Sequence, residues 1–105
     1  MLDASEFNTH ADLLFDRIVD TLDASDADFD IEINENVLTI TCEDDSKIIV
    51  NKHELNREIW VAAKSGGFHF KWNGASWIDT RGGDSLAATL QRVVAAQSGA
   101  MLSFG

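Results

Sequence analysis

From residue 28 to residue 80 the chain runs in short segments of alternating apolar and polar side chains, and the stretches between them are too short for a crossover. Phe29, Ile31 and Ile33 alternate with Asp28, Asp30 and Glu32. A period of 2 puts one side of a strand against a core and the other toward solvent. Further runs of this kind occupy 37–42, 47–51, 58–63, 68–72 and 75–80. Asn34-Glu35-Asn36, Glu43-Asp44-Asp45-Ser46, the longer 52–57 connection, Ser65-Gly66-Gly67 and Asn73-Gly74 part them. Parallel neighbours need a connection of about a dozen residues or more, so these strands must pair antiparallel, each with the next. Asn73-Gly74 is the strongest hairpin signal among the turns.

Two helical patterns frame the strands. Asp3 is placed as N-cap with Glu6 as its capping-box partner, and Leu2 and Phe7 stand at the staple positions. Phe7, Ala11, Leu14, Phe15, Ile18 and Leu22 then recur at helical spacing. Near the other end Asp84 or Ser85 caps a second helix, with Leu86, Leu90, Val93, Val94 and Gln97 inward and Gly99 at its end. Met101, Leu102 and Phe104 make the tail apolar enough to pack. The pattern predicts an α+β, two-layer sandwich: an antiparallel sheet of about six strands covered on one face by N- and C-terminal helices, as a single domain over residues 1–105. The uncovered face then carries Thr39, Thr41, Trp60, His69 and Lys71. Trp60 alternates with Ile59 and Val61, and a large aromatic on a solvated face points to a contact site.

Charge is segregated along the chain. Residues 1–35 hold 11 acids and 1 base, whereas 36–105 hold 7 of each, so the whole net charge of −10 lies in the first third. Asp12, Asp16, Asp20 and Asp23 recur on one helical face, the last two near the end where the helix dipole disfavours anions. Asp26, Asp28, Asp30 and Glu32 continue the row. Such a surface excludes nucleic-acid phosphates and anionic membranes as partners and favours cations or a basic protein. Carboxylates are hard ligands suited to iron, Mn²⁺, Ca²⁺ or Mg²⁺. They stand in a row, and the spacing of Asp26, Asp28 and Asp30 lacks the glycine of an EF-hand loop, so weak and partly hydrated cation binding is expected. His10, His53 and His69 form no metal motif. Cys42 shares the inward face of Leu38 and Ile40 and reads as a buried structural thiol. A lone cysteine, no apolar run near the roughly 18 residues of a membrane span, and an acidic N-terminus point to a cytoplasmic protein.

Several fragments, in this order and on these elements, resemble the frataxin family and most closely its bacterial CyaY-type members. They are Ser5-Glu6-Phe7, Val37-Leu38-Thr39-Ile40, Asn51-Lys52, Ile59-Trp60-Val61-Ala62, Ser65-Gly66-Gly67-Phe68-His69-Phe70, Trp77-Ile78 and Ala96-Gln97-Ser98-Gly99. Departures occur at His53, Leu55 and Glu58, where the family usually has Gln, Pro and Gln. The resemblance implies a non-enzymatic, iron-binding partner of iron–sulfur cluster assembly, monomeric without iron. It implies weak Fe²⁺/Fe³⁺ binding by Asp16, Asp20, Asp23, Asp26, Asp28, Asp30 and Glu32. It further implies docking on a basic cysteine desulfurase through Asp16, Asp20 and Asp23, and a scaffold-protein contact at Trp60, with Asn51 and His69 beside it. The alternatives are a carboxylate ferroxidase that stores iron, which lacks the ExxH pairs of di-iron bundles, and an acidic module that mimics nucleic-acid phosphate.

Overall fold

Asp3 has an extended backbone (φ −79°, ψ 175°), and its carboxylate accepts the Glu6 N–H at 2.8 Å. Glu6 Oε1 in turn accepts the Asp3 N–H at 3.5 Å. This capping box satisfies donors that the first helical turn leaves free, and the Glu6 N–H holds the Asp3 carboxyl below the usual carboxylate range. It opens helix α1 (Ala4–Asp23) in the computed structural model, which describes residues 2–105. Phe7, Ala11, Phe15, Ile18 and Leu22 form its buried stripe, with Leu14 partly buried along the margin.

Strands β1 (Asp30–Asn34), β2 (Val37–Thr41), β3 (Lys47–His53), β4 (Glu58–Ala63), β5 (Gly66–Trp72) and β6 (Trp77–Asp79) follow. They lie in the sheet in chain order, every neighbouring pair antiparallel. Helix α2 (Leu86–Ser98) closes the set. Of the two candidate caps Ser85 is the one used: its hydroxyl accepts the Ala88 N–H at 3.0 Å. Gly99 (φ 77°) ends α2 in the left-handed region that glycine enters without strain. Leu38, Ile40, Ile48, Val50, Ile59, Val61, Phe70 and Trp77 line the covered face of the sheet, and Leu86, Leu90, Val93, Val94 and the tail residue Phe104 meet them from the helix side. All are buried. The two-layer α+β sandwich is thus present. Cys42 is buried as expected, and burial raises its thiol pKa.

Four details differ from the sequence expectation. First, β3 extends through His53, pairing Lys52 with Ile59 and His53 with Glu58, so the 52–57 connection shrinks to residues 54–57. Lys52 tolerates the helix-facing register because its ammonium runs past the Phe15 ring (5.5 Å) to Asp12 at 2.8 Å. Second, Gly66 and Gly67 lie within β5, opposite Ala63 and Ala62, and the turn itself is Lys64-Ser65. Third, the Asn73-Gly74 hairpin has a four-residue loop because Asn73 Oδ1 accepts both the Ala75 and Ser76 N–H at 2.9 Å. Fourth, Ile33 is 53% exposed although its alternation placed it in the core. β1 is an edge strand, and Glu32, Ile33 and Asn34 at its end are all exposed, so the cover that buries the inner strands is missing there.

Gln97 ties the end of α2 to two turns. Its Oε1 accepts the Lys64 N–H at 2.9 Å, and its Nε2 donates to Ser46 Oγ and the Lys47 carbonyl at 3.0 and 3.3 Å. Ser46 donates from both hydroxyl and backbone to Asp44 Oδ1, at 2.5 and 2.9 Å. These bonds, the hydroxyl first, lower the Asp44 pKa to about 2. A depressed carboxylate pKa contributes stability above its unfolded value, about 3.9, and loses it as pH falls toward the folded value. Ser46→Ala is therefore expected to raise the Asp44 pKa and to shift acid unfolding upward within the window from about 4 to 2. Carboxyl NMR titration checks it; an unmoved Asp44 titration would exclude the hydroxyl as the cause.

Candidate functional site

The stripe that buries Phe7 through Leu22 turns Asp16, Asp20 and Asp23 to the outside of α1, where all three are exposed. The link to β1 carries Asp26 and Asp28, and β1 carries Asp30 and Glu32, again all exposed. Asp30 pairs with Thr41 and Glu32 with Thr39. Cross-strand partners share a face, so Asp30 and Glu32 project on the open side of the sheet, whereas Asp16, Asp20 and Asp23 lie in the helix layer. The row therefore bends around the β1 edge in two groups. Among the described residues none of the seven carboxylates makes an ion pair, and neither does Arg17, the single base among them. Asp12, on the same helix, is taken up by Lys52. Carrying the β1–β2 register two residues past the Asp30–Thr41 pair sets Glu43 across from Asp28, and its carboxylate accepts the Asp28 N–H at 3.4 Å. Glu43 is thus an acid of this surface that the linear pattern did not single out.

Oxygen donors of this kind suit a hard cation. Among the described residues no group of three or more His, Cys, Asp or Glu converges closely enough to hold a metal ion. The chemistry open to the row is attraction by summed negative potential, with a bound cation keeping much of its water.

A second surface lies on the open face of the sheet. Trp60 pairs with Asn51 on β3 and His69 on β5, which gathers the three residues marked out from the sequence. The indole does not stand free. His53 stacks on one side of it (centroids 4.2 Å, planes 7° apart) and His69 on the other (4.3 Å, 4°). The indole N–H donates to Glu58 Oε1 at 2.8 Å, and the same carboxyl group lies 4.0 Å from His69 Nδ1 and 3.8 Å from the Lys71 ammonium. The Glu58 side chain is only 13% exposed. His53 and Glu58 stood out in the sequence only as departures from the family and were not assigned to this surface. The signal lay in the β3–β4 register, which sets His53 diagonal to Trp60 only once β3 is two residues longer than its apolar pattern. Because both ring faces are covered, what remains open is the edge of a three-ring column. Beside it lies a depression of about 210 Å³ bordered by Ile49, Ala62 and Gly67.

The outer flank of α1 also borders a cleft of about 830 Å³ between α1, the β5–β6 loop and the start of α2. His10 lines it by stacking on Trp72 at 4.2 Å and 22°. Trp72 meets Trp77 edge-on at 5.5 Å, and Trp77 meets Phe7 at 5.8 Å and 86°. These contacts place Trp72 and Trp77 in packing roles. No helix of the described residues is long and apolar enough to cross a membrane.

The family model for the frataxin-like domain matches residues 1–100. The iron–sulfur cluster assembly protein CyaY of Dechloromonas aromatica is 50% identical over 99 residues, covering 93% of this chain and 94% of that protein. The protein of the same name from Cupriavidus taiwanensis is 46% identical over 107 residues, covering 98% and 96%. Frataxin from Psychromonas ingrahamii, a solved structure, superposes with a TM-score of 0.93 at 32% identity and covers 99% of both chains.

Proposed function

The chain belongs to the frataxin-like family, and from that premise we propose that it serves iron–sulfur cluster assembly as a non-enzymatic, iron-binding regulatory and delivery protein. Its acidic ridge docks on the basic surface of a cysteine desulfurase. The names borne by its relatives support the pathway. The observation that carries the docking role is the row of seven exposed carboxylates from Asp16 to Glu32, free of ion pairs among the described residues. A surface kept only for solubility gains nothing from leaving Asp20 and Asp23 unpaired in the last turns of α1, where the dipole opposes them by roughly 0.3–1 kcal/mol each. A basic partner relieves that repulsion.

Iron is cargo in this reading. Asp16, Asp20, Asp23, Asp26, Asp28, Asp30 and Glu32 hold it weakly, as hydrated Fe²⁺ or Fe³⁺. Because the same carboxylates face the desulfurase, each bound ion cancels part of the attraction, so iron loading tunes docking. The edge of the Trp60 column, with Asn51 and His69, is the contact for the scaffold protein. The protein acts as a monomer when iron is absent.

Docking through exposed charge must respond to salt, since screening falls from about 10 Å at 0.1 M to about 3 Å at 1 M ionic strength. Titration of a purified bacterial cysteine desulfurase at low and high salt is expected to show affinity falling at least tenfold. Equal affinity at both salts would remove the ridge as the docking element.

A further inference from the structure

Leu13 is 60% exposed on α1, one turn before Asp16 and two before Asp20. Residues at i, i+3 and i+7 share a helical face, so the acidic row has an apolar member at its start. Leu13, Asp16 and Asp20 all border the cleft of about 830 Å³ described above. Its far wall holds Trp72, Ala75 and Ala87, and its floor holds the buried Phe104. The ridge and the cleft are therefore continuous and share two carboxylates.

We propose that this cleft seats an apolar side chain of the basic partner, an anchor flanked in its own chain by Lys or Arg residues that meet Asp16 and Asp20. The inference rests on the docking role given to the ridge above. Charge complementarity selects the occupant. The rim carries Asp16 and Asp20 against one base, Arg17, and the ridge continues in the same sign through Asp23. Arg17 suits a backbone carbonyl of the same segment. The distances fit. Leu13 and Asp20 are about 10 Å apart along the helix at 1.5 Å per residue, a span that roughly three residues of extended chain cover. An apolar side chain over Leu13 and Trp72 thus leaves its neighbours within reach of both carboxylates. Long-range attraction then brings the partner in, and the anchor supplies the part of the affinity that salt does not screen.

The test uses the full chain labelled with 5-fluorotryptophan, whose Trp60, Trp72 and Trp77 signals are assigned by single Trp→Phe variants, and purified bacterial cysteine desulfurase as the probe. Binding is expected to shift the Trp72 and Trp77 ¹⁹F resonances. Leu13→Gln and Ala75→Gln, both at exposed positions, are expected to weaken binding about tenfold at low and high salt alike, with the salt slope unchanged and the circular dichroism spectrum intact. If both variants bind like the parent while affinity stays salt-sensitive, the ridge stands and the cleft proposal falls. A shift confined to Trp60 also overturns it. Trp72 shifts that grow with protein concentration in the absence of desulfurase would assign the cleft to a second copy of this chain instead. Absence of binding by the parent protein at low salt overturns the ridge reading and the cleft with it.

Discussion

Replacing Phe7 with alanine is expected to lower the free energy of unfolding by about 3–5 kcal/mol, a large share of the roughly 5–15 kcal/mol that holds a domain of this size. Phe7 is 0% exposed and stands where α1 first meets the sheet. Its ring abuts Trp77 edge-on at 5.8 Å, Trp77 abuts Trp72, and Trp72 carries His10 back on α1 itself. The chain of aromatic contacts closes on the helix from which it starts. Removing Phe7 opens a cavity that rigid neighbouring rings cannot collapse to fill, so the cost lies toward the upper end of the range. The helix-propensity gain of alanine over phenylalanine, at most about 0.7 kcal/mol, offsets only a fraction. Urea unfolding followed by far-ultraviolet circular dichroism measures the effect. A loss under about 1 kcal/mol would mean that α1 is held elsewhere.

The combined variant Asp16→Lys, Asp20→Lys and Asp23→Lys is expected to bind cysteine desulfurase about 100-fold more weakly at low salt. Each substitution changes the charge by two units, which takes the net charge from −10 to −4. An exposed ion pair contributes roughly 0.2–1 kcal/mol. Six units of reversed charge thus remove about 3 kcal/mol, which is about two orders of magnitude in affinity. Folding should not suffer. The lysines at 20 and 23 face the negative end of the helix dipole, which favours them, so the melting temperature should hold or rise. Lost binding with preserved stability then reports on the interface alone. Binding within threefold of the parent would leave the ridge without a docking role.

Much of the architecture was legible in the chain because its patterns agree with one another. The Asp3–Glu6 box, the stripe from Phe7 to Leu22, and the alternation through Val37–Thr41 and Glu58–Ala63 each specify a local shape that the fold preserves. The misses arise where tertiary contacts decide. Lys52 looked like loop, yet Asp12 and Phe15, forty and thirty-seven positions earlier, let it extend β3. Ile33 looked buried, but alternation reports which face a residue is on and not how far the opposite layer reaches. The acidic row could be read residue by residue, since charge and exposure are local properties. Its division around the β1 edge, and the enclosure of Trp60 by His53 and His69, follow from strand register, and a two-residue change in the length of β3 was enough to hide His53.

The order of the strands bears on how the molecule comes together. Strands pair only with their immediate neighbours in the chain, and four of the five connecting turns leave two to four residues between paired positions. Loop-closure entropy is small for contacts so close in sequence, so the ladder can assemble hairpin by hairpin as the polypeptide emerges. Its apolar face cannot be finished that way. α1 is available from the outset, but α2 is synthesised after the last strand, and until it docks the core lacks Leu86, Leu90, Val93 and Val94. The acids of β1 stand at that interval on the first free edge of the growing sheet, where their mutual repulsion discourages a second nascent chain from adding a strand. Charges that stay exposed in the finished protein therefore also guard the unfinished one against its own copies.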